Sequence, residues 1–330
     1  MSTVSSNSGK LKMVVCGRCN GRVFVRGDLA PLHSIPCTKC GHPIIVPVML
    51  RQFELRSIIG TGGMGTVYRA FDTTLEREVA VKMMKKDLVQ DEQSTRAFFR
   101  EARALAALNH TNIIHVYTFE KYDNQLYLVM ELADRPSMDY RIEHESHLPE
   151  LHVLDIGVKI ASALDLALKH GFLHRDIKPG NILFNVDGEP KLVDFGLAGS
   201  AADGLGDEHS IMGTPYYVAP EKIKREAETF LSDMYSLAAT MYQGLTGHVP
   251  FEAPTVDEVV LAHVNTPLVP PNQVLFEVTK ATSDGIVRAM SKDPAERFQS
   301  YDEFIMEFTA ARSKLLIQRY RGSDEAPPEQ

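Results

Sequence analysis

The sequence lacks cysteine after Cys40, and all four of its cysteines lie between Cys16 and that residue. It also lacks any apolar run close to the roughly 18–20 residues that a membrane-spanning helix requires. Its first twelve residues lack the apolar core of a secretory signal peptide. We therefore expect neither a general disulfide framework nor a membrane span in this chain, and the sequence predicts a cytoplasmic protein.

The chain also has no excess of positive charge, since its 330 residues carry a formal net charge of −8. Bulk charge gives no reason to expect nucleic acid or an anionic membrane as a partner. The distribution is uneven, because residues 1–50 carry a net charge of +5 and leave −13 for the remainder. With 44% hydrophobic and 24% charged residues, the composition is typical of a soluble globular protein.

The clustered cysteines form two CxxC pairs, Cys16 with Cys19 and Cys37 with Cys40, separated by seventeen residues. This spacing predicts that four thiolates bind one Zn²⁺, and the surrounding strand-like segments RVFVRGD and PIIVPV make the region resemble a zinc ribbon. Four protein ligands leave no open position, so the metal is expected to be structural. The alternative is two surface disulfides in an oxidised protein.

A glycine follows each cysteine pair, at Gly21 and Gly41. Glycine suits the tight backbone turn of a metal-binding knuckle. About fifty residues bury little apolar surface, so the bound metal is expected to supply most of the folding free energy of this module.

Two motifs further along the chain combine groups that suit phosphoryl transfer. HRDIKPGN, residues 174–181, is followed by DFG, residues 194–196. Asp176 can accept the proton of an attacking hydroxyl, and Lys178 can balance charge on the transferred phosphoryl group. Asn181 and Asp194 offer the hard oxygen ligands that Mg²⁺ or Mn²⁺ takes.

A glycine-rich segment, IGTGGMGTVY over residues 59–68, precedes these motifs and lies between two strand-like stretches. A dinucleotide-binding turn differs, because a helix follows its glycines. A strand–loop–strand flap lays backbone amides over phosphates, and Gly60, Gly62 and Gly65 permit the close approach.

A lysine and a glutamate downstream of the glycines are expected to pair. Lys82 ends the buried-strand pattern VAVK, and a buried lysine needs an anionic partner. Glu101 lies with Phe98, Leu105 and Leu108 on one stripe of a predicted helix, an unusual place for a carboxylate unless a cation meets it.

In this order and spacing the motifs resemble those of the protein kinase family, and the forms HRDIKPGN and GGMG are similar to eukaryotic-type Ser/Thr kinases of bacteria. The resemblance implies an α+β, bilobal protein kinase fold with a small β-rich N-lobe and a large helical C-lobe, preceded by the zinc-ribbon module. The expected divisions are a disordered lead-in (1–12), a zinc ribbon (13–50), a kinase domain (51–312) with its N-lobe (51–132) and C-lobe (133–312), and a C-terminal tail or linker (313–330).

The resemblance also assigns roles to single residues. Lys82 would anchor the phosphates of ATP, and Thr214 would contact the catalytic Asp176. Asp233 would fix the backbone of the catalytic loop, and Arg297 would pair with Glu221. The adenine base would be held by side chains and backbone of Ile59, Val67, Ala80, Met130, Glu131, Ala133 and Leu183.

Arg175, which precedes the catalytic aspartate, raises the question of regulation. In the family such an arginine often pairs with a phosphate on the activation segment. Ser210 is the first candidate acceptor and Ser200 the second. However, two further positions that are often basic hold glycine and alanine, and the acidic Asp207 and Glu208 lie just ahead. Both a phosphorylation switch and a pocket that is already neutral stay open.

The sequence therefore predicts ATP- and Mg²⁺-dependent phosphoryl transfer to Ser/Thr hydroxyls of proteins in intracellular signalling. The alternative is a pseudokinase-like nucleotide-binding scaffold whose zinc ribbon mediates docking, although the residues usually broken in pseudokinases are intact. A small-molecule kinase is disfavoured by family analogy, because the chain has the APE segment, residues 219–221, of a protein-substrate groove. The expected partners are protein substrates and, through the ribbon, a second copy or a docking protein; nucleic acid is not expected.

Overall fold

The computed structural model describes residues 12–16, 18–25, 34–45, 47–63, 65–85, 88–195, 199–200 and 215–324. The chain forms two compact units. The first unit comprises residues up to Phe98 together with Val116–Leu132, and the second comprises Phe99–His115 together with the chain from Ala133 onward. Apart from Lys12, the predicted disordered lead-in lies outside the described residues.

The first unit begins with two short antiparallel hairpins that carry the cysteine pairs. Strand β1 (Lys12–Val15) pairs with β2 (Arg22–Val25), and β3 (Ser34–Pro36) pairs with β4 (Pro43–Ile45). Six buried side chains form a small core of their own: Val14, Cys16, Val23, Val25, Cys37 and Ile44. Strand structure is thus confirmed at residues 22–25 and 43–45 of the two predicted segments.

A six-stranded antiparallel sheet forms the body of the first unit, in the order β5-β6-β7-β8-β10-β9. Its strands are β5 (Val48–Leu50), β6 (Phe53–Thr61), β7 (Gly65–Asp72), β8 (Arg77–Met84), β9 (Val116–Tyr122) and β10 (Gln125–Met130). One face carries an apolar core that includes Phe53, Tyr68, Val81 and Tyr127. Residues 48–50, the end of the segment predicted as ribbon, therefore belong to this sheet.

The second unit is mainly helical, and α1 (Glu92–Ala107) runs into it from the first unit. Its further helices are α2 (Met138–Glu145), α3 (Glu150–Lys169), α4 (Pro220–Ile223), α5 (Phe230–Thr246), α6 (Val256–Asn265), α7 (Pro271–Val274), α8 (Lys280–Ala289) and α9 (Tyr301–Asp324). Four short strands, β11 (Phe172–Leu173) with β14 (Gly199–Ser200) and β12 (Ile182–Phe184) with β13 (Pro190–Leu192), form two antiparallel pairs.

Helices α3 and α5 pack against each other in the interior of the second unit. The approach is close, because a Cβ added to Gly157 of α3 would lie 2.4 Å from Met241 Sδ of α5. The sequence begins α5 with a capping box, in which the side chains of Thr229 and Ser232 satisfy backbone N–H groups, and ends it at Gly247 with φ of 77°. The N-terminal end of α5 is thereby fixed, and this end reaches the catalytic loop.

Helix α9 continues to residue 324, beyond residue 312 where the sequence placed the end of the C-lobe. Phe304, Phe308, Ala311 and Leu315 lie on one stripe of this helix and are all buried. The apolar stripe therefore extends the packed part of the helix past that boundary. No helix in the described part of the chain combines the length and the apolarity needed to cross a membrane.

Candidate active site

Asp176 lies in the second unit, in the loop between β11 and β12, at the centre of a hydrogen-bonded cluster. Lys178 Nζ donates to Asp176 Oδ2 at 2.7 Å, and Asn181 Nδ2 donates to the same oxygen at 3.1 Å. The amide of Asn181 also donates to the Asp176 carbonyl oxygen at 2.8 Å. The Asp176 and Lys178 side chains keep 19% and 25% of their surface exposed. The structure thus brings together the predicted base, cation and carboxamide; the base and the cation stay partly accessible, whereas Asn181 is buried.

Asp233 of α5 holds the backbone of this loop, as the resemblance implies. Its two carboxylate oxygens accept hydrogen bonds from His174 N at 2.7 Å and Arg175 N at 2.8 Å. Burial raises the pKa of Asp233, while His174, the two N–H donors and Lys222 act in the opposite direction. Arg175 has φ of 66°, a left-handed conformation that costs free energy in a non-glycine residue. The bonds to Asp233 stabilise that conformation immediately before Asp176.

The segment that carries Asp194 is hydrogen-bonded to the catalytic loop. Val193 N donates to the Asn181 carbonyl at 3.0 Å, and His174 Nε2 donates to the Val193 carbonyl at 3.1 Å. Phe195 is buried edge-on against His174, with ring centroids 4.5 Å apart. Asp194 itself is exposed, with φ of 66°. The two predicted metal ligands, Asn181 and Asp194, therefore lie on neighbouring segments.

Four predicted nucleotide-contacting residues share one face of the six-stranded sheet. Val67 lies opposite Lys82 on the neighbouring strand, and Ala80 lies opposite Met130. Because Ala80 and Lys82 are two residues apart on β8, all four side chains point to the same side. The apolar core of the sheet occupies the other face. Within the first unit, Lys82 is therefore placed among the apolar residues expected to enclose adenine.

The glycine-rich segment comprises the end of β6, the turn that follows and the start of β7. Gly62 N donates to the Gly65 carbonyl at 2.9 Å. A Cβ on Gly65 would lie 2.4 Å from the backbone oxygen of Met83, so only glycine lets β7 approach β8 here. A Cβ on Gly60 or Gly62 would meet nothing closer than 3.8 Å. The sheet itself therefore does not require glycine at those two positions.

The remaining predicted nucleotide contacts are divided between the two units. Ile59 is half-exposed on β6 and Glu131 follows β10, both in the first unit. Ala133 and Leu183 belong to the second unit. Their common role in holding adenine stays a prediction.

The two residues of the predicted ion pair also belong to different units, Lys82 to the first and Glu101 to the second. Glu101 is buried on α1 together with the apolar residues of its stripe, so the inward orientation expected from the sequence is confirmed. Its pairing with Lys82 stays a prediction. Thr214 and Ser210 lie outside the described residues, and Ser200 lies on β14, which pairs with β11.

Glu221 and Arg297 form the predicted bidentate pair inside the second unit. Arg297 Nη1 and Nη2 donate to the two Glu221 oxygens at 2.7 and 2.8 Å, and Ser232 Oγ donates to Glu221 at 2.7 Å. Burial acts to raise the pKa of Glu221, but the bonds from Arg297 and Ser232 outweigh it, so the pKa lies below its usual value. The pair joins α4 to the segment before α9.

The four cysteines lie close together in the first unit. Their sulfurs are all within 4.8 Å of one another, and the Cys16–Cys40 and Cys19–Cys37 sulfur distances are both 3.7 Å. A tetrahedral zinc ion with Zn–S bonds of about 2.3 Å separates its sulfurs by roughly 3.8 Å. A disulfide would need about 2.05 Å, and no disulfide joins any of the four cysteines. The geometry therefore fits the metal and not the disulfide alternative.

Two equivalent turns present these thiols. Cys16 N donates to the Gly21 carbonyl while Asn20 N donates to the Cys16 carbonyl, and the same pattern recurs from Cys37 to Gly41 and His42. Gly41 has φ of 72°, as expected for a turn glycine, but in the first turn the left-handed residue is Asn20, with φ of 52°. Gly21 itself does not have the left-handed conformation. A Cβ there would lie 2.8 Å from Lys39 Cδ, a contact that the exposed, flexible lysine side chain can relieve, so the turn does not require glycine at this position.

Sequence reasoning missed two charged residues beside the catalytic loop. Lys222 of α4 donates from Nζ to the Arg175 carbonyl at 3.3 Å, and Glu228 is buried just before α5. A signal was available for Glu228, because an acidic residue directly before the N-cap Thr229 is placed near a helix N-terminus. Its proximity to Arg175 could not be read from residues more than fifty positions apart.

Comparison with known proteins places these features in a family. The protein-family model described as "Protein kinase domain" matches residues 53–307, from the start of β6 into α9. A "Probable serine/threonine-protein kinase" of Clostridium perfringens is 35% identical over 263 residues, which cover 79% of this chain and 38% of that protein. The serine/threonine-protein kinases PknB of Mycobacterium leprae and PknE of Mycobacterium tuberculosis are 32% and 35% identical, covering 78% and 74% of this chain.

The chain spans about two fifths of the length of these curated relatives, from 38% to 44%. The matched region nevertheless includes the six-stranded sheet from β6 onward, the loop that holds Asp176 and the Glu221–Arg297 pair. Sequence match and fold agree over this region: the chain belongs to the protein kinase family and is similar to the serine/threonine-protein kinases of bacteria.

Proposed function

We propose that the protein transfers the γ-phosphoryl group of ATP to Ser/Thr hydroxyls of proteins. The observation that carries the proposal is the Asp176 carboxylate, held at 2.7 Å by Lys178 and at 3.1 Å by Asn181 in a loop that Asp233 fixes. The names of the relatives as serine/threonine-protein kinases support it. The signalling role and the cytoplasmic location stay predictions from the sequence.

In this proposal Asp176 orients the acceptor hydroxyl and takes its proton, and Lys178 offsets negative charge on the group being transferred. The donor set also fits a divalent cation. Because the Asn181 amide nitrogen donates to Asp176, its amide oxygen is the atom that a metal can use, and Asp194 supplies a carboxylate nearby. Mg²⁺ or Mn²⁺, when bound, supplies positive charge to the phosphates of ATP. Catalysis then depends mainly on positioning and charge stabilisation.

The test is the Asp176→Asn variant of the full chain. Turnover with labelled ATP and a generic basic protein should fall by about 10²–10⁴-fold, because the base is lost. The dissociation constant of ATP, measured by calorimetry, should change by less than about twofold, since Asp176 acts on the acceptor. Asp187→Asn, an exposed acid in the turn between β12 and β13, is the matched control and should leave turnover unchanged.

Two results would contradict the proposal. Unchanged phosphorylation by Asp176→Asn would refute the assignment of the base. A wild-type protein that binds ATP but transfers no phosphate would favour the scaffold alternative, in which the fold serves docking alone.

We also propose that the four cysteines hold one structural Zn²⁺. The proposal is supported by the 3.7 Å sulfur distances and by the two equivalent turns around Cys16 and Cys37. The hydrogen bond of Cys19 N–H, together with that of Arg18, lowers the pKa of Cys16 to about 6 against the effect of burial, which favours the thiolate that zinc binds. Without a metal the four thiols do not all favour that form, because the bond from His42 N–H is outweighed by burial and the neighbouring thiols, which raise the pKa of Cys40 to about 12. Metal analysis of the purified protein should find about one zinc per chain.

The outer face of the ribbon is a candidate docking surface. Met13 on β1 lies opposite Phe24 on β2, and Val15 lies opposite Arg22, with all four side chains exposed. This apolar patch lies on a module of charge +5, whereas the remainder of the chain carries −13. We propose that this face contacts a second copy of the chain, whose acidic remainder complements the positive charge of the module while the apolar side chains are covered.

Sedimentation at increasing protein concentration tests this self-association. The average mass should rise with concentration at low salt and fall at high salt, and Phe24→Ser should weaken the association. A monomer at every concentration and salt would exclude self-association and leave docking to a different protein.

A further inference from the structure

Glu228 places a buried carboxylate beside the catalytic loop. It directly precedes Thr229, the N-cap of α5. Its Oε2 lies 3.9 Å from Arg175 Nε and 3.6 Å from Lys222 Nζ. These distances are those of ion pairs rather than hydrogen bonds. The exposed fractions of the Glu228, Arg175 and Lys222 side chains are only 5%, 9% and 13%, so their charges interact more strongly than they would in water.

Lys222 connects this carboxylate to the backbone next to Asp176. Its Nζ donates to the Arg175 carbonyl at 3.3 Å while it faces Glu228. The N–H of Arg175 is held from the other side by Asp233 at 2.8 Å. The strained residue before Asp176 is thus fixed at both its N–H and its C=O.

Within the part of the chain that the structure describes, charges of both signs meet in this cluster. Glu228 faces the side chains of both Arg175 and Lys222, and Asp233 accepts from the backbone N–H of Arg175. A buried cation without a counter-charge is strongly disfavoured, so an arginine at this position needs an anion. A phosphate on the activation segment is one such anion. Here a carboxylate of the chain itself supplies the charge.

We propose that Glu228 is a positioning residue: by holding Arg175 and Lys222 it keeps Asp176 in place for transfer, so that the reaction does not require a phosphorylated activation segment. This inference rests on the proposed kinase function. The sequence left two alternatives open, a phosphorylation switch and a pocket in which Arg175 is already neutralised. The proposal favours the second and assigns the neutralising charge to Glu228.

The first experiment removes phosphate from the full-length wild-type protein. Phosphatase treatment, verified by mass spectrometry, should leave the initial rate within about threefold of the untreated rate, and a Ser200→Ala/Ser210→Ala variant should behave in the same way. A larger loss in either protein would overturn the proposal, because the phosphate would then supply what Glu228 does not.

The second experiment replaces Glu228. Glu228→Gln should lower kcat by about tenfold or more with KM for ATP changed by less than about twofold, since ATP binding does not involve Arg175. Glu228→Asp, which keeps the charge, should recover part of the loss. Glu226→Gln, an exposed acid two residues away, is the matched control and should have no effect. A kcat unchanged by Glu228→Gln would overturn the proposal.

A double-mutant cycle shows whether Glu228 acts through Arg175. Adding Glu228→Gln to Arg175→Gln should reduce kcat by a smaller factor than adding it to the wild type, whereas equal factors would overturn the link. If the wild type transfers no phosphate, the proposed function fails, and urea midpoints of the same four proteins still test the contact. Additive shifts in those midpoints would show that the two residues do not interact.

Discussion

Glu221 and Arg297 illustrate at the scale of single residues how a buried charge depends on its partner. Both side chains are almost fully buried, and each Glu221 oxygen accepts a bond from the arginine. Glu221→Gln should lower the free energy of unfolding by about 3–5 kcal/mol at pH 7, because the arginine keeps its charge without compensation. Urea denaturation measures this change. Glu303→Gln, which removes the half-exposed pair with Arg288, is the control and should cost less than about 1 kcal/mol.

The same pair predicts how stability depends on pH. The pKa of Glu221 in the folded protein lies below its ordinary value of 4.5. A depressed pKa contributes stability that is fully present above the unfolded-state pKa and is lost as pH falls through the folded-state pKa. The difference in unfolding free energy between wild type and Glu221→Gln should therefore be constant above about pH 5 and shrink in more acidic solution. A difference that persists undiminished to pH 3 would contradict the assignment.

The roles of single residues could be predicted from the sequence where the residues lie in one short segment. They could not be predicted where residues from distant segments come together. Asp176, Lys178 and Asn181 lie within six residues, so their cluster could be predicted from HRDIKPGN alone. Glu228 could not be assigned a role in this way, because its position beside Arg175 depends on how α4 and α5 pack. The first cysteine turn shows a related limit, because its left-handed residue is Asn20 and not the glycine that follows it.

At the scale of elements, the close contact between β7 and β8 predicts that Gly65 and the nearby Gly63 differ in how well they tolerate substitution. Gly65→Ala should destabilise the protein by about 1–3 kcal/mol, because its Cβ would lie 2.4 Å from the Met83 carbonyl oxygen and force the strands apart. Gly63→Ala is the matched control, since a Cβ there has nothing within 4 Å. Urea denaturation of both variants makes the comparison. Equal effects would mean that the strand contact does not determine the cost.

Elements with a clear apolar periodicity could be predicted from the sequence, but the residues at which elements begin and end could not. The stripe of α1 that includes Phe98, Glu101 and Leu105 is buried as the sequence predicted. In contrast, residues 48–50 join the sheet and α9 runs on to residue 324. Both boundaries depend on what the segment packs against: β5 pairs with β6, and Leu315 lies on the buried stripe of α9. A sequence window alone does not contain that information.

At the scale of the whole molecule, the chain joins a family fold to a small module that the family match leaves out. The match begins at residue 53, after the hairpins that carry the cysteines. These hairpins have their own core of six side chains, two of which are cysteines, and the sheet has a separate core. A core of that size cannot offset the conformational entropy of folding by itself, so the module should depend on its metal while the kinase fold does not.

Removal of zinc tests this division. A zinc chelator, added with Mg²⁺ in excess, should release one zinc per chain and abolish protection of strands β1–β4 from hydrogen exchange, because binding of the metal and folding of the module are one equilibrium. The strands β6–β10 and the helices of the second unit should keep their protection, and phosphoryl transfer to a short peptide should change by less than about threefold. Chelator saturated with zinc beforehand is the control. Protection of the hairpins that survives loss of the metal would show that their apolar core suffices, and loss of protection in the sheet would show that the metal stabilises both parts.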